Sequence, residues 1–324
     1  LGKEHPDVAT TLEDLGTLHQ NHGRQDEAEL IYKRVLEIRE KSMRQEHPEV
    51  VRSLFVLAYF YIEQDKVEKV VLAVPIYKRL LAIQEKILGP DHPDVAESLS
   101  SLAGSYSAQE KYADAQRLLE RAISIKEKVC GEDFVNIRGN DIPEILNQLA
   151  SLFSGQGKYN EAERLLLRAL TIQDKFFQQG DPETQGTLEQ LANIYYDQGR
   201  YADAEPIFNR LLVVWQNARW SGHLDPEVPE NLTKFAIIYH SQKRFTDAEY
   251  LYTYALGIWE KMEHPLGFRK DIRESLVGLC DPKGRDVETE PLSEQALEKL
   301  QKATGPEYKH LILNLENYAT LLRD

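Results

Sequence analysis

A large apolar residue, a small residue and then an aromatic three positions further on recur together along this chain. The sets are Leu57-Ala58 with Tyr61, Leu102-Ala103 with Tyr106, Leu149-Ala150 with Phe153, Leu191-Ala192 with Tyr195 and Phe235-Ala236 with Tyr239. A second alanine follows, usually twelve residues after the small one, at Ala28, Ala115, Ala162, Ala204 and Ala248. Four of the second alanines, counting Ala73, carry an aromatic four residues later, at Tyr32, Tyr77, Phe208 and Tyr252. Spacings of three and four mark helical faces. Two helices can approach to about 8–10 Å only where small side chains meet, so the pattern predicts a repeated antiparallel helix pair, A then B.

The small residues of the A helices fall at Gly16, Ala58, Ala103, Ala150, Ala192, Ala236, Gly278 and Ala319, giving steps of 42, 45, 47, 42, 44, 42 and 41. A unit of this kind cannot bury its apolar face alone, and stacked neighbours must cover it. One array over 1–324 is therefore predicted, with repeats at 5–44, 47–88, 92–130, 141–178, 181–218, 225–262 and 264–303 and a terminal helix at 307–323. Glycine in Gln156-Gly157-Lys158 and Gln198-Gly199-Arg200 suits a left-handed helix end between A and B. His-Pro or Asp-Pro opens many repeats, at His5-Pro6, His47-Pro48, His92-Pro93, Asp181-Pro182, Asp225-Pro226 and His264-Pro265. Proline is well placed at a first helical position, so these histidines read as turn residues and not as ligands.

Residues 1–41 (LGKEHPDVATTLEDLGTLHQNHGRQDEAELIYKRVLEIREK) and 88–128 (LGPDHPDVAESLSSLAGSYSAQEKYADAQRLLERAISIKEK) closely resemble the 42-residue tetratricopeptide repeats of the kinesin light chain type. The shared features are the LG-x-x-HPDVA opening, the A-E-x-x-Y-x-R start of helix B and the long helix B. The resemblance implies an all-α fold, a right-handed α-solenoid whose concave face, lined by the A helices, receives peptides. In that family the groove takes acidic, tryptophan-containing segments with help from an asparagine pair before the Leu-Ala. The matching pairs here are Glu13-Asp14, Phe55-Val56, Ser100-Ser101, Asn147-Gln148, Glu189-Gln190 and Thr233-Lys234. Only Asn147 keeps the family residue, which argues against acidic-peptide specificity and a cargo-adaptor role.

Charge changes the picture further. The chain carries 39 lysines and arginines against 53 aspartates and glutamates, a net charge of −14. Such a balance disfavours nucleic acid and anionic membrane surfaces as partners, and there is no apolar run of bilayer-spanning length. The two cysteines, Cys130 and Cys280, need no pairing, and reduced thiols in a cytoplasmic setting are expected. The start at Leu1, without methionine, suggests a piece of a longer protein.

Chemistry is sparse. His19 and His22 have a spacing that could hold a metal, but His19 sits at the repeat's aromatic position and is expected in packing. No carboxylate, cysteine or histidine falls in a nucleophilic or phosphate-binding motif, so neither catalysis nor a cofactor or metal is expected. The A-helix groove is the sharper candidate. Its charged positions are Glu13, Asp14, Arg52, Glu97, Glu144, Glu189, Glu230, Lys234 and Glu316, seven acidic and two basic, which favours a basic or polar peptide. The preferred contact residues are Arg52, Asn147, Glu189, Gln190, Asn193, Tyr196 and Lys234.

Tryptophan suggests a second surface. Eleven residues after the helix-B alanine stand Arg39, Gln84, Lys126 and Gln173, then Trp215 and Trp259, and Trp220 follows in a loop. Tryptophan at an otherwise polar position reads either as a binding hot spot or as local packing under a longer loop. Repeat two gains three residues around Val67–Val71, expected to extend its helix B, and 130–141 adds five more, expected as a loop. The expected function is a non-catalytic scaffold for a peptide or protein partner. The alternatives are a regulatory or sensor module of a larger signalling protein and, from the resemblance, a kinesin-light-chain-like cargo adaptor binding acidic tryptophan-containing peptides.

Overall fold

The computed structural model describes residues 4–64, 66–130, 141–218 and 227–261. Gly278, Cys280, Glu316, Ala319, Trp220, the repeat expected at 264–303, the terminal helix expected at 307–323 and the added segment before repeat four lie outside the described residues. The described part is helical: α1 (Pro6–Asn21), α2 (Gln25–Ser42), α3 (Pro48–Glu63), α4 (Val67–Leu88), α5 (Pro93–Ser107), α6 (Tyr112–Cys130), α7 (Asp141–Gly155), α8 (Tyr159–Phe176), α9 (Gln185–Asp197), α10 (Tyr201–Ala218), α11 (Glu227–Ser241) and α12 (Phe245–Lys261), with a 3-10 turn at Pro182–Thr184 leading into α9. Odd-numbered helices are the A helices and even-numbered ones the B helices.

The helices fall in two compact bodies, Leu1–Phe177 and Gln178–Asp324. In the first, α1/α2, α3/α4, α5/α6 and α7/α8 are sequential pairs, and each B helix up to α6 also packs on the next A helix. In the second, α9/α10 and α11/α12 pair in the same way. Each pair closes on the small residues that the pattern predicts. Ala58, Ala103, Ala150 and Ala236 are wholly buried, as are Ala28, Ala73, Ala115, Ala162, Ala204 and Ala248. At Gly16 even a methyl is too large, since a Cβ there would lie 2.8 Å from the Tyr32 ring. One buried apolar cluster runs from Ala28 to Ile172 through the first body, so neighbouring repeats supply the cover that a lone pair lacks.

The repeat boundaries follow from capping. His5, His47 and His92 precede the proline at the start of α1, α3 and α5, and each imidazole Nδ1 accepts the backbone N–H two residues on at 3.2 Å. Asp181 does the same with its carboxylate, accepting from the Glu183 N–H at 3.0 Å. His-Pro and Asp-Pro are thus two versions of one N-cap.

The A–B turns carry a left-handed residue at Gly23, Gly157 and Gly199, and Glu110 and Lys243 adopt the same φ without being glycine. The next residue's N–H then bonds back five positions at 2.8–2.9 Å, from Lys111 to Tyr106, Lys158 to Phe153, Arg200 to Tyr195 and Arg244 to Tyr239. Each of these cations also lies over the ring whose carbonyl it caps. The three residues added to repeat two do lengthen its B helix, and α4 runs for 22 residues.

Candidate functional site

Side chains on the A helices divide by repeat position. Counting from the small residue, the place one after it is exposed at Thr17, Tyr59, Gly104, Ser151 and Ile237, and half-buried at Asn193. The place three before it is less uniform, with Glu13, Ser100 and Glu189 buried and Phe55, Asn147 and Thr233 half-buried. In the first body α3 touches α5 and α5 touches α7, so these positions form one continuous A-helix face. Its four helices hold one arginine and no lysine against nine aspartates and glutamates. The four B helices of the same body carry fifteen lysines and arginines against thirteen carboxylates. The negative charge of this body is concentrated on the A side.

Not every predicted groove residue is available. Glu13 is buried and is held by two arginines, Arg39 at 2.6 Å and Arg52 at 2.8 Å. Arg52 is itself largely exposed, but its guanidinium is committed to Glu13. Asn147 is half-buried on α7, beside Gln148, whose Oε1 accepts from the Ser100 hydroxyl at 2.6 Å. In the second body Glu189 is also buried, and Gln185 donates to it at 3.1 Å. Gln190, Asn193 and Tyr196 are half-buried on α9. Lys234 of α11 donates to the Asn193 carbonyl at 3.0 Å and pairs with Glu230 at 3.1 Å, so the structure brings Asn193 and Lys234 together. Tyr196 instead packs toward the turn, 6.0 Å from the Tyr201 ring, where burial pushes its phenol up.

The tryptophan surface needs correction. Trp215 is 4 % exposed within α10, and its indole Nε1 has no hydrogen-bond partner among the described residues. Trp259 lies in α12, but its side chain is outside the described residues, as is all of Trp220. The polar residues at the same repeat position, Arg39, Gln84, Lys126 and Gln173, are also buried. Arg39 lies between its B helix and the next A helix, where it donates to Ser53 at 2.8 Å. Trp215 is a packing residue, the second of the two readings its sequence position allowed.

Two features escaped the sequence reading. One is an inter-repeat clamp. Glu29, the residue after the helix-B alanine, accepts from the Tyr61 hydroxyl at 3.0 Å and pairs with Lys33 and Lys69. Burial pushes its carboxyl up, but the two lysines and the tyrosine outweigh that and hold it at about 2. Glu205 occupies the same place in the second body, accepting from Tyr239 at 3.4 Å and from Arg244 at 2.6 Å. The glutamate of the Ala-Glu motif is therefore a joint between repeats.

The other feature is an aromatic pair on the A-helix face. Phe55 and Tyr59 stack with ring centroids 6.1 Å apart and an interplanar angle of 10°, and Tyr59 is 47 % exposed. The signal was available in sequence, because other repeats carry serine, asparagine, threonine, glutamate, glycine or isoleucine at those two places.

Comparison with known proteins fixes the family. Tetratricopeptide repeat models match residues 1–41, 57–128 and 183–261, and a second model of the same repeat matches 144–175. The chain belongs to the tetratricopeptide repeat family. This tetratricopeptide protein is similar to the crystal structure of nearly identical TPR-like repeats assigned to a kinesin light chain of Podosopora anserina. The two are 26 % identical with a TM-score of 0.54, over 66 % of this chain and 97 % of that one. BtubC (BKLC) from P. vanneervenii shares the fold at 22 % identity and a TM-score of 0.54, over 68 % of this chain and 84 % of that one. No curated protein matches the chain.

Among the described residues no helix is long and apolar enough to cross a membrane. Among the same residues, no group of three or more histidines, cysteines, aspartates or glutamates is placed to hold a metal ion.

Proposed function

We propose that the chain is a non-catalytic interaction scaffold that takes a peptide or protein segment on its A-helix face. Tetratricopeptide repeats generally serve as protein–protein interaction modules, and the chain is recognised as such repeats over most of its length. The observation that carries the reading is the A-helix face of the first body. Tyr59, Gly104 and Ser151, at one repeat position, are exposed on three successive A helices. These three positions face outward on the A helices and are accessible to a partner.

The kinesin light chain likeness suggests a short linear segment as occupant. The single arginine on this face, already bound to Glu13, argues against an acidic one. A basic or polar segment fits better, because like charges brought together at an interface are penalised and unlike ones speed association.

Selection of a displayed random peptide library on the purified chain tests this. Peptides retained by the wild type are expected to be lost from a variant with Ser151→Arg and Gly104→Arg, which crowds the face without touching the core. Retention by that variant at full strength would move the site elsewhere. Turnover of any substrate that disappears on a single substitution would make the chain an enzyme and end the scaffold reading.

A further inference from the structure

Within the first body the aromatic stack on α3 stands in a setting found at no other described repeat. Tyr59 presents nearly half of its surface, and Phe55 lies under it and meets the Tyr77 ring edge-on at 6.4 Å. On the neighbouring helix α5 the equivalent of Tyr59 is Gly104, where an added Cβ would meet nothing within 4 Å. Ser101, half-buried, replaces a bulkier side chain one turn earlier. The face therefore has a ring stack on α3 and, on the neighbouring α5, an open notch at Gly104.

Charge surrounds this notch on one side only. The Tyr59 phenol is pushed up by a hydrogen bond to Glu63, by that carboxylate's charge, by burial and by Glu144 of α7. Glu97 of α5 acts in the same direction on Tyr77, whose phenol burial pushes to about 12. Carboxylates from three successive A helices thus bear on one cluster of rings. At the A–B turns the protein places its own cations over buried or half-buried rings: Lys111 over Tyr106, Lys158 over Phe153, Arg200 over Tyr195 and Arg244 over Tyr239. Among the described residues no lysine or arginine lies over Phe55 or Tyr59.

We propose, resting on the peptide-binding reading above, that the Phe55–Tyr59 stack and the Gly104 notch form a seat for a cationic side chain, an arginine or lysine of a partner peptide. The cation would lie over the Tyr59 ring face, attracted by its quadrupole, with the acidic A-helix face supplying long-range attraction. Phe55 and Tyr77 hold the ring in place from beneath.

The test uses the full chain and three fluorescein-labelled glycine-serine peptides. One carries two central arginines, one has citrulline at those places (the same shape without charge), and one has glutamate. The arginine peptide is expected to bind at least tenfold more tightly than the citrulline peptide, with the margin shrinking as salt is raised. Tyr59→Ala should remove most of that margin and Tyr59→Phe should keep it. Gly104→Leu should abolish binding by filling the notch while the helical circular dichroism stays unchanged, which guards against a Tyr59→Ala variant that fails to fold. Equal affinity for arginine and citrulline peptides, preference for glutamate, or a margin untouched by Tyr59→Ala each overturns the seat. If library peptides are still retained in those cases, the peptide-binding reading survives. If none is retained, both fall.

Discussion

The junctions between repeats one and two and between repeats two and three use the same positions for different chemistry. At the first, Arg39 from α2 is 1 % exposed and reaches Glu13, Glu49 and Ser53, with 2.6–2.8 Å contacts to all three. At the second, the corresponding residues are Gln84 and Ser98, both buried, and the Gln84 Oε1 and Ser98 Oγ have no partner among the described residues. The first junction is an ion network and the second a pair of orphaned oxygens within an apolar core. A repeat position can thus fix burial without fixing what is buried. Burial is set by the stacking geometry common to all repeats, whereas charge depends on whether neighbours supply the counter-charge.

Breaking the first junction should have the largest effect. Arg39→Ala leaves Glu13 and Glu49 without the guanidinium and opens a cavity, and removing one partner of a buried ion pair costs roughly 3–5 kcal/mol. Because stability in stacked repeats is distributed over units and interfaces, the loss should be local. Hydrogen exchange of α1–α3 should rise strongly while α7 and α8 change little. Uniform loss across the first body would show that the junctions are coupled and not separable.

A single substitution made at both junctions sharpens the comparison. Ser53→Ala removes an acceptor of Arg39, and a hydrogen bond to a charged group is worth about 1.5–3 kcal/mol. Ser98→Ala removes a buried hydroxyl that bonds nothing among the described residues, so it should be neutral or stabilising by up to about 1 kcal/mol. Denaturant midpoints should therefore move in opposite directions for the same chemical change. Movement in the same direction would mean that Ser98 has a partner, such as a bound water shared with Gln84.

These junctions also mark how far the sequence could be read. Helix pairing, the small residues at the crossing and the turns were legible because each leaves a local spacing that repeats. Glu110 and Lys243 blurred the turn signal, since they take a left-handed φ that glycine usually signals. The column containing Arg39, Gln84, Lys126, Gln173 and Trp215 was misread for a different reason. Four polar residues gave no local sign of burial, and Arg39 shows why, since its partner Ser53 stands on the next repeat's A helix, 14 residues further along. The same limit hid the role of Glu29, whose partners Tyr61 and Lys69 stand in the following repeat. It hid the commitment of Glu13 too, which made the groove look more acidic at that point than it is. Phe55 and Tyr59 were readable by comparing repeats position by position, as was done for tryptophan.

The smallest expected effect separates the junctions by pH. Glu29 clamps the first junction through Tyr61 and Lys69, and its place at the second is taken by Val74, which cannot ionise. With its folded-state carboxyl held at about 2 against an ordinary 4.5, Glu29 stabilises the fold above the unfolded value. That contribution is lost as pH falls from about 4.5 toward 2. The group is partly solvent-screened, so the change should be modest. Acid titration followed by hydrogen exchange should loosen the α2–α3 contact before the α4–α5 contact, and Glu29→Gln should flatten the difference by weakening the first junction at neutral pH. If Glu29→Gln leaves the acid response of α2–α3 unchanged, Glu29 does not govern it, and the distinction between the junctions rests on Arg39 alone.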